Sequence, residues 1–592
     1  MSMRSRFACV LLAAASTLGG ARAQWSSDPA ANLGIATGAG DQVLPLIGST
    51  FGGGTYIAWF DGSTGSFRVF VQRLDIAGQP QLGAGGLLVS DHPQDSALFG
   101  WDMIVDADDH AVIVFSDIRD GGDLDIHAYR IAPDGTFVWG ADGVTLSANP
   151  DFEPAPRVAQ AADGDFVFVW GRDPASGDGD IRMQRLAPNG TPELTAGGLA
   201  VVAVAGTNPG FVDVEPGGGG NVILSWLKDI TNFASDRHIR AQKFSPTGAP
   251  LWPTAVSVYD AFSVPIGYFP GFVTDGAGGS YHVWHRSDGS FFDSFVQHLD
   301  SDGTELFVHN GVTVSLTPDM HHLDPALAVE PVGGDMYVFW NERVSNQSQW
   351  GIVAQKIAAD GTRQWGGGGQ TLLPVSAQFK SAPRAGRIGD GAAVFLTRDV
   401  AGSDELIGIR LDPDGNLVWG TDPVTVSSAA SGKSRYPLTR DDLGGARLVW
   451  EDDRNGTADL YAQNVTAAGT LGVPLDAGNV DDTLRIAKST TQAGRLVLSW
   501  QLSCGAGAVD YAIYEGVVGS FYSHVMVDCS DDGGDRSEEY KPQAGDRYYL
   551  VVPLSTVGEG SYGIDSNGNE RPAPVAVGDR CIDVSGAPGC NP

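Results

Sequence analysis

Basic side chains are in short supply. Of 592 residues only 37 are Lys or Arg, against 71 Asp or Glu, for a formal net charge of −34. That deficit excludes the positive footprint that nucleic acids and anionic membrane surfaces require, and it favours solubility, cationic partners or divalent metal. Cysteine is scarce too: five in all, of which Cys9 stands in a leader-like segment, leaving Cys504, Cys529, Cys581 and Cys590. An even number confined to the C-terminal part suits two disulfides in an oxidising compartment. Sequence order favours Cys504 with Cys529 and Cys581 with Cys590, among three possible connectivities. Zinc is disfavoured, since neither pair has C-x-x-C spacing and no histidine lies close by. Beyond the first residues no apolar run is long enough to span a membrane.

What is abundant is glycine, 80 residues, with 33 prolines and an aromatic share of 9%. Such a chain reads as many short strands joined by tight turns, and its length calls for at least two domains or a repeat array. Residues 1–23 read as a secretory signal: Arg4 and Arg6, an apolar run from Phe7 to Leu12, then Ala21-Arg22-Ala23 before cleavage at Gln24. The mature protein is therefore expected to be secreted or held at the cell surface or in the periplasm.

A repeat runs through the next 450 or so residues, with a period above the ~40–50 residues of commoner propeller repeats, which implies longer loops. Short alternating runs end on Trp59, Phe115, Trp170, Trp226, Trp284, Trp340, Leu396 and Trp450, at spacings of 56, 55, 56, 58, 56, 56 and 54. A second run follows each anchor, often as Q-[RK]-[LFI]: VQRL to Leu74, MQRL to Leu186, AQKF to Phe244, AQKI to Ile357. A turn glycine then recurs at Gly78, Gly135, Gly190, Gly248, Gly303, Gly361, Gly415 and Gly469. Each unit resolves into four strands, the third and fourth joined by turns such as Pro133-Asp134-Gly135. Four antiparallel strands repeated eight times suit an all-β fold, an eight-bladed β-propeller over 24–475. An orphan strand at 33–37 is expected to complete the last blade beside Ala462 to Val465, removing two open edges.

The period breaks near 483. LRIAK, RLVLSW to Trp500, DYAIYEG, RYYLVVPL and EGSYG resemble strands A, B, C, F and G of a fibronectin type III-like β-sandwich over 483–566, leaving a Pro- and Gly-rich tail, 567–592. As a whole the chain resembles secreted bacterial β-propeller repeat proteins carrying a C-terminal fibronectin type III-like domain.

Chemistry is less legible. Loops after the anchors gather on one propeller face and carry Asp61, Asp117, Arg172, Lys228, Arg286, Glu342, Arg398 and Asp452, with Asp173, Asp229, Asp399 and Asp453 one position later. These are the candidate ligand-binding residues, read against the plainer alternative that charged turns simply meet solvent. Calcium is a candidate cofactor for the loops Asp117 to Asp125, Asp173 to Asp180 and Glu451 to Asp459, though none follows the spaced ligand pattern of an EF-hand. His282 and His285 point to opposite faces of a strand, and His321-His322 lack a metalloprotease context. No nucleophile elbow or phosphate loop occurs. Ala132-Pro133-Asp134-Gly135-Thr136-Phe137-Val138-Trp139 is similar to the Asp-box of sialidases, with Asp and Gly adjacent and the Trp displaced.

No catalytic residue and no resident metal is assigned on this reading. It favours a monomeric, non-catalytic binding or adhesion protein for an extracellular protein or glycan. The alternatives are a sialidase-like glycan hydrolase and a structural surface component. A pocket with two close, desolvated carboxylates would favour the hydrolase.

Overall fold

The computed structural model describes residues 24–581 except 52, 95–99, 120–123, 175–177, 205, 207, 230–235, 266, 330–333, 442–443, 473–477, 481–482, 491, 504–507, 509, 531–535, 556–558, 565–570 and 575–579. The proposed leader, most of the C-terminal tail, Cys504 and Cys590 lie outside the described residues. No α-helix occurs among the described residues. Seven four-stranded antiparallel sheets follow one another in chain order, beginning with Gln42–Ser49, Thr55–Asp61, Phe67–Leu74 and Leu87–Gln94. In a further sheet Leu33–Ala36 pairs with Asp459–Val465, which pairs with Ala446–Asp452 and through it with Lys433–Ser434 and Leu438–Arg440. Leu33 faces Ala462 and Ala36 faces Leu460, so this edge runs back from Ala462 rather than on towards Val465.

The first strands of the sheets stand side by side. Gln42–Ser49 lies beside Asp102–Val105, and Arg157–Gln160, Asn208–Pro216, Gly271–Thr274, Met320–Val329, Arg384–Ile388 and Leu438–Arg440 follow in turn. The last of these lies beside Gln42–Ser49 again, so the neighbours form a circuit around an axial channel. Each sheet is sandwiched between two others, which explains why second strands are buried on both faces: all of Phe166 to Trp170 is covered. One apolar cluster joins Leu33, Ile35, Val449 and Leu460 to Ile57 and Trp59, the last sheet against the first. The anchors Trp59, Trp170, Trp284, Trp340 and Trp450 are among the largest fully buried side chains.

The recurring glutamine has a physical reason. Gln184 Oε1 accepts from Arg185 N (2.9 Å) and Leu194 N (3.1 Å), while its Nε2 donates to Thr195 O (3.0 Å). Gln72, Gln242, Gln297 and Gln355 bracket their own loops in the same way. The basic residue at the next position of the unit closes the opposite turn: Arg130 to Asp106 (2.7 Å), Arg185 to Asp165 (2.8 Å), His298 to Asp275 (3.1 Å), Lys356 to Asp335 (3.1 Å) and Arg410 to Asp390 (2.6 Å), whether the residue before it is the glutamine or, as at Tyr129 and Ile409, another. Neighbouring sheets are pinned by a tryptophan laid on the next turn glycine. Trp139 Nε1 donates to Pro188 O (3.0 Å) and its ring fills the place a Cβ on Gly190 would take. Trp25, before the first sheet, does the same at Gly78 and donates to Ile76 O (3.0 Å).

Beyond residue 483 two three-stranded sheets form: Arg485–Lys488, Leu496–Ser499 and Ser537–Tyr540; then Ser520–Asp528, Asp510–Val517 and Arg547–Leu554. Leu498, Trp500, Tyr511, Ile513 and Val551 fill the space between them. The expected last strand, EGSYG, makes only an isolated bridge from Glu559 to Leu554. Among the described residues a disulfide joins Cys529 to Cys581, which rules out both pairings favoured by sequence order. The reason is local: Cys581 N donates to Glu559 Oε1 (2.9 Å) and Tyr514 Oη (3.2 Å), seating Cys581 beside the end of Ser520–Asp528.

Candidate functional site at the channel

Strand register defines a belt of side chains around the channel. The residue opposite the one preceding each anchor is Leu46, Asp102, Arg157, Asp213, Gly271, Ala326 and Arg384 in the first seven sheets. Asp102, Arg157 and Asp213 therefore stand at one level on three consecutive sheets. Glu215 lies two residues further down the same strand as Asp213. Val212 and Val214 between them enter an apolar cluster, and strand alternation turns both carboxylates the other way, towards the channel.

These groups line a cavity of about 440 Å3 together with Ile104 and Gln160. Asp102 is tied on both oxygens, accepting from Met103 N (2.9 Å) and Val158 N (3.0 Å). Asp213 Oδ1 accepts from Val214 N (2.9 Å), and Arg157 donates to Pro156 O (3.0 Å). Among the described residues no cation stands within ion-pair distance of Asp213 or Glu215, and both line the cavity half-buried.

That placement separates their protons. Burial pushes Asp213 up to about 6, Arg157 pulling the other way and Asp102 adding to the rise. Burial, then Asp213 and Asp102, push Glu215 up to about 8, against a hydrogen bond from the Thr274 amide. Asp102 is raised by burial and opposed by Arg157 and its two amides. Two carboxyl groups held apart in protonation across neutral pH are the arrangement in which one can donate a proton while the other accepts.

Above the belt the inner strands bulge. Leu44, Ala155, Phe211, Asp324 and Arg435 all adopt left-handed φ between 45° and 54°, each at the equivalent place in its unit. Non-glycine residues adopt this only where the surroundings enforce it. Leu44 N is held by Glu451 Oε1 (2.7 Å) and Asp324 N by His285 Nδ1 (3.0 Å), in both cases the residue after the preceding anchor. Phe211 is 52% exposed and Phe269, the equivalent residue of the next unit, is 58% exposed; their rings meet edge to face at 4.9 Å. Phe262 is also exposed, with the Arg286 guanidinium 5.1 Å from its centroid. The mouth of the channel thus offers bare aromatic rings next to the strand that carries both carboxylates.

The residues after the anchors are engaged close to home. Asp61 pairs with Arg68 (3.1 Å), Asp117 with Arg119 (2.6 Å) and His127 (3.3 Å), Arg172 with Asp180 (2.5 Å) and Asp151 (2.9 Å). Arg398 pairs with Glu405 (2.7 Å), Asp452 with Arg454 (2.6 Å) and Glu342 with His322 (3.7 Å). Asp117 and Asp452 are buried. Asp173 and Asp453 are exposed, Asp453 accepting from Gly432 N (2.7 Å); Lys228 and Asp399 are half-buried, and Asp229 ends its strand. Each of the three calcium-candidate loops thus has an arginine on one of its aspartates, Asp117, Asp180 or Asp452. Among the described residues, Asp106, Asp108 and His110 come close enough to share a cation, and the Arg130 guanidinium already lies across Asp106 and Asp108.

Reading along the sequence missed the belt, although the signal is present: Asp102, Arg157 and Asp213 each precede their anchors Phe115, Trp170 and Trp226 by 13 positions. The charges after the anchors are more frequent along the chain, and they are satisfied among themselves.

No known family model matches the chain, and no curated protein matches it. Solved structures similar to it include the polysaccharide lyase Uly1, with a TM-score of 0.39 and 10% identity over 77% of this chain and 94% of that one. A PL25 ulvan lyase bound to a sulfated disaccharide repeat has a TM-score of 0.40 and 11% identity, covering 74% and 96%. The Penicillium chrysogenum α-L-arabinanase complexed with arabinobiose has a TM-score of 0.30 and 12% identity, covering 53% and 94%.

Proposed function

We propose that this chain is an exported, glycan-active protein: an eight-bladed propeller over 24–475, closed by its N-terminal strand and followed by a fibronectin type III-like module over 483–566. A signal segment over 1–23 directs its export, and it works as a monomer. The observation that carries the functional reading is the cavity beneath the aromatic mouth, with the half-buried Asp213 and Glu215 lining it. Exposed aromatic rings offer flat apolar faces on which pyranose rings stack, and acid–base chemistry on a sugar polymer needs two carboxyl groups with unlike protonation. A non-catalytic binder would use a rim of free charges, whereas the charges after the anchors are largely held in internal ion pairs.

The test is a panel of neutral and acidic polysaccharides incubated with the secreted protein, reading new reducing ends, unsaturated products and binding. Phe211→Ala and Phe269→Ala are expected to weaken capture of the responsive polymer by about 1–3 kcal/mol each, the size of aromatic truncations at binding surfaces. A panel in which every polymer is neither bound nor cut would sink the reading.

A further inference from the structure

We propose that the rim of the fourth sheet, Asn208–Pro216 to Val256–Tyr259, is a docking track for an acidic polysaccharide. Lys228, His238, Arg240 and Arg286 meet its carboxylate or sulfate groups, and Phe211 and Phe262 meet its ring faces. This rests on the glycan-active reading and deepens it by naming the charge class of the polymer.

The fourth unit breaks the charge pattern of its neighbours. In the third sheet Arg172 faces Asp180 across the strand pair, and the same aspartate takes Arg182 (2.9 Å), so two cations share one carboxylate. In the fourth, Lys228 faces His238, and Arg240 stands two residues further along the strand, opposite Trp226. Directly opposed residues and i, i+2 neighbours share a face of a sheet, so three basic groups gather on one side, with a histidine where the third sheet has its aspartate. Among the described residues none of the three has a carboxylate within ion-pair distance, and Arg240 Nε is buried without an acceptor. Burial, then Arg240, hold His238 below its ordinary range, with Lys228 adding to the fall. Asp260 and Asp236 oppose it without reaching ion-pair distance, Asp260 being taken by His309 (3.1 Å).

Arg286, on the fifth sheet, is equally short of anions. It faces Asp293, which is taken by His322 (3.3 Å), and its Nε and Nη1 are buried without acceptors. Arg172 and Arg398, the other cations at this place in the repeat, are paired.

Aromatic rings flank these cations along the rim. Pro209 faces Lys228, which sets the exposed Phe211 two residues from that cation's cross-strand partner. Arg237 N donates to Ser263 Oγ (3.1 Å) and Val264 N to Arg237 O (2.9 Å), laying the exposed Phe262 alongside the strand of His238. The Arg286 guanidinium then lies 5.1 Å from the Phe262 centroid. Ring, cation, cation and ring thus follow one another across four neighbouring segments, roughly 14 Å at a strand spacing of about 4.8 Å. A track of that length suits a polymer better than a single small anion. A net charge of −34 repels polyanions elsewhere on the molecule, so capturing one requires a local concentration of unpaired positive groups. Flat ring faces and charge-assisted hydrogen bonds answer the two kinds of surface that an acidic sugar presents.

The experiment uses the full secreted chain and matched polymers that share a backbone and differ in charge: polygalacturonate and its methyl ester, alginate and its propylene glycol ester, dextran sulfate and dextran. Affinity electrophoresis should favour the charged member of at least one pair by about tenfold or more, the worth of one charge-assisted hydrogen bond. A response from the uronate pairs or from the sulfate pair supports the track and identifies the anionic group it takes. Lys228→Gln and Arg240→Gln should each remove most of the preference, while Lys488→Gln, at an exposed cation of the C-terminal module, should leave it intact. His238→Asp, which rebuilds the arrangement of the third sheet, should abolish the preference with the melting temperature unchanged or raised, so that the loss is not one of folding. Equal or greater affinity for the neutral members, or a preference that survives His238→Asp, would overturn the track while leaving the glycan-active reading standing. A panel with no polymer bound or cut would overturn both.

Discussion

Asp452 is buried and Glu215 half-buried, and their protons are moved in opposite directions. Burial works against ionisation of Asp452, but bonds from Arg454, Trp450 and Ser431 outweigh it and hold the carboxyl below its ordinary range. Glu215 has one amide against burial and two neighbouring acids, and it is raised. The consequences for stability are opposite too. The lowered group stabilises the fold above its unfolded value of about 3.9, and that contribution is lost as pH falls through the folded value. Asp452→Asn should therefore cost about 3–5 kcal/mol at pH 7, the size of a broken buried pair, and the gap should narrow below pH 4 in denaturant titrations. For Glu215 the folded state binds the extra proton between about 4.3 and 8, so stability falls as pH rises across that window. Glu215→Gln should match the unaltered protein at pH 4 and melt a few degrees higher at pH 9, the signature of an acid kept in place for chemistry at the expense of stability.

At the level of strands and turns, the sequence carries more of the fold than of the site. Anchors such as Trp170 and turn glycines such as Gly190 repeat because every sheet meets the same neighbours, and a repeated environment selects repeated residues. The motif glutamine was legible as a marker but not as a device, since two of its three bonds go to a loop 10 or 11 positions away. Gln184→Leu would leave Leu194 N and Thr195 O without their partner; we expect a loss of about 2–4 kcal/mol, read as a lower unfolding midpoint with an unchanged far-UV spectrum. The belt escaped notice for the converse reason: Leu46, Asp102, Arg157, Asp213, Gly271, Ala326 and Arg384 occupy one position and share no chemistry, so periodicity hides them. Left-handed Leu44 and Phe211 carry no glycine to flag the bulge. The disulfide was misassigned because Cys581 is placed by Tyr514 and Glu559, contacts that order along the chain does not reveal.

For the molecule as a whole, the circuit of inner strands depends on its ends. Trp25 lies on Gly78, Leu33 faces Ala462, and Gln42 N donates to Ala458 O (2.6 Å). Removing residues 24–37 would bare the edge of Asp459–Val465 and uncover the Trp25 seat; self-association, measured by light scattering, and a lower melting temperature are the expected results. The same pairing sets a timetable for biogenesis. Positions 33 and 462 are 429 residues apart, so at about 5–20 residues per second a ribosome needs roughly 20–90 s to deliver the second after the first. Throughout that interval the nascent amino-terminal segment has no mate, and its edge stays open until the last sheet emerges.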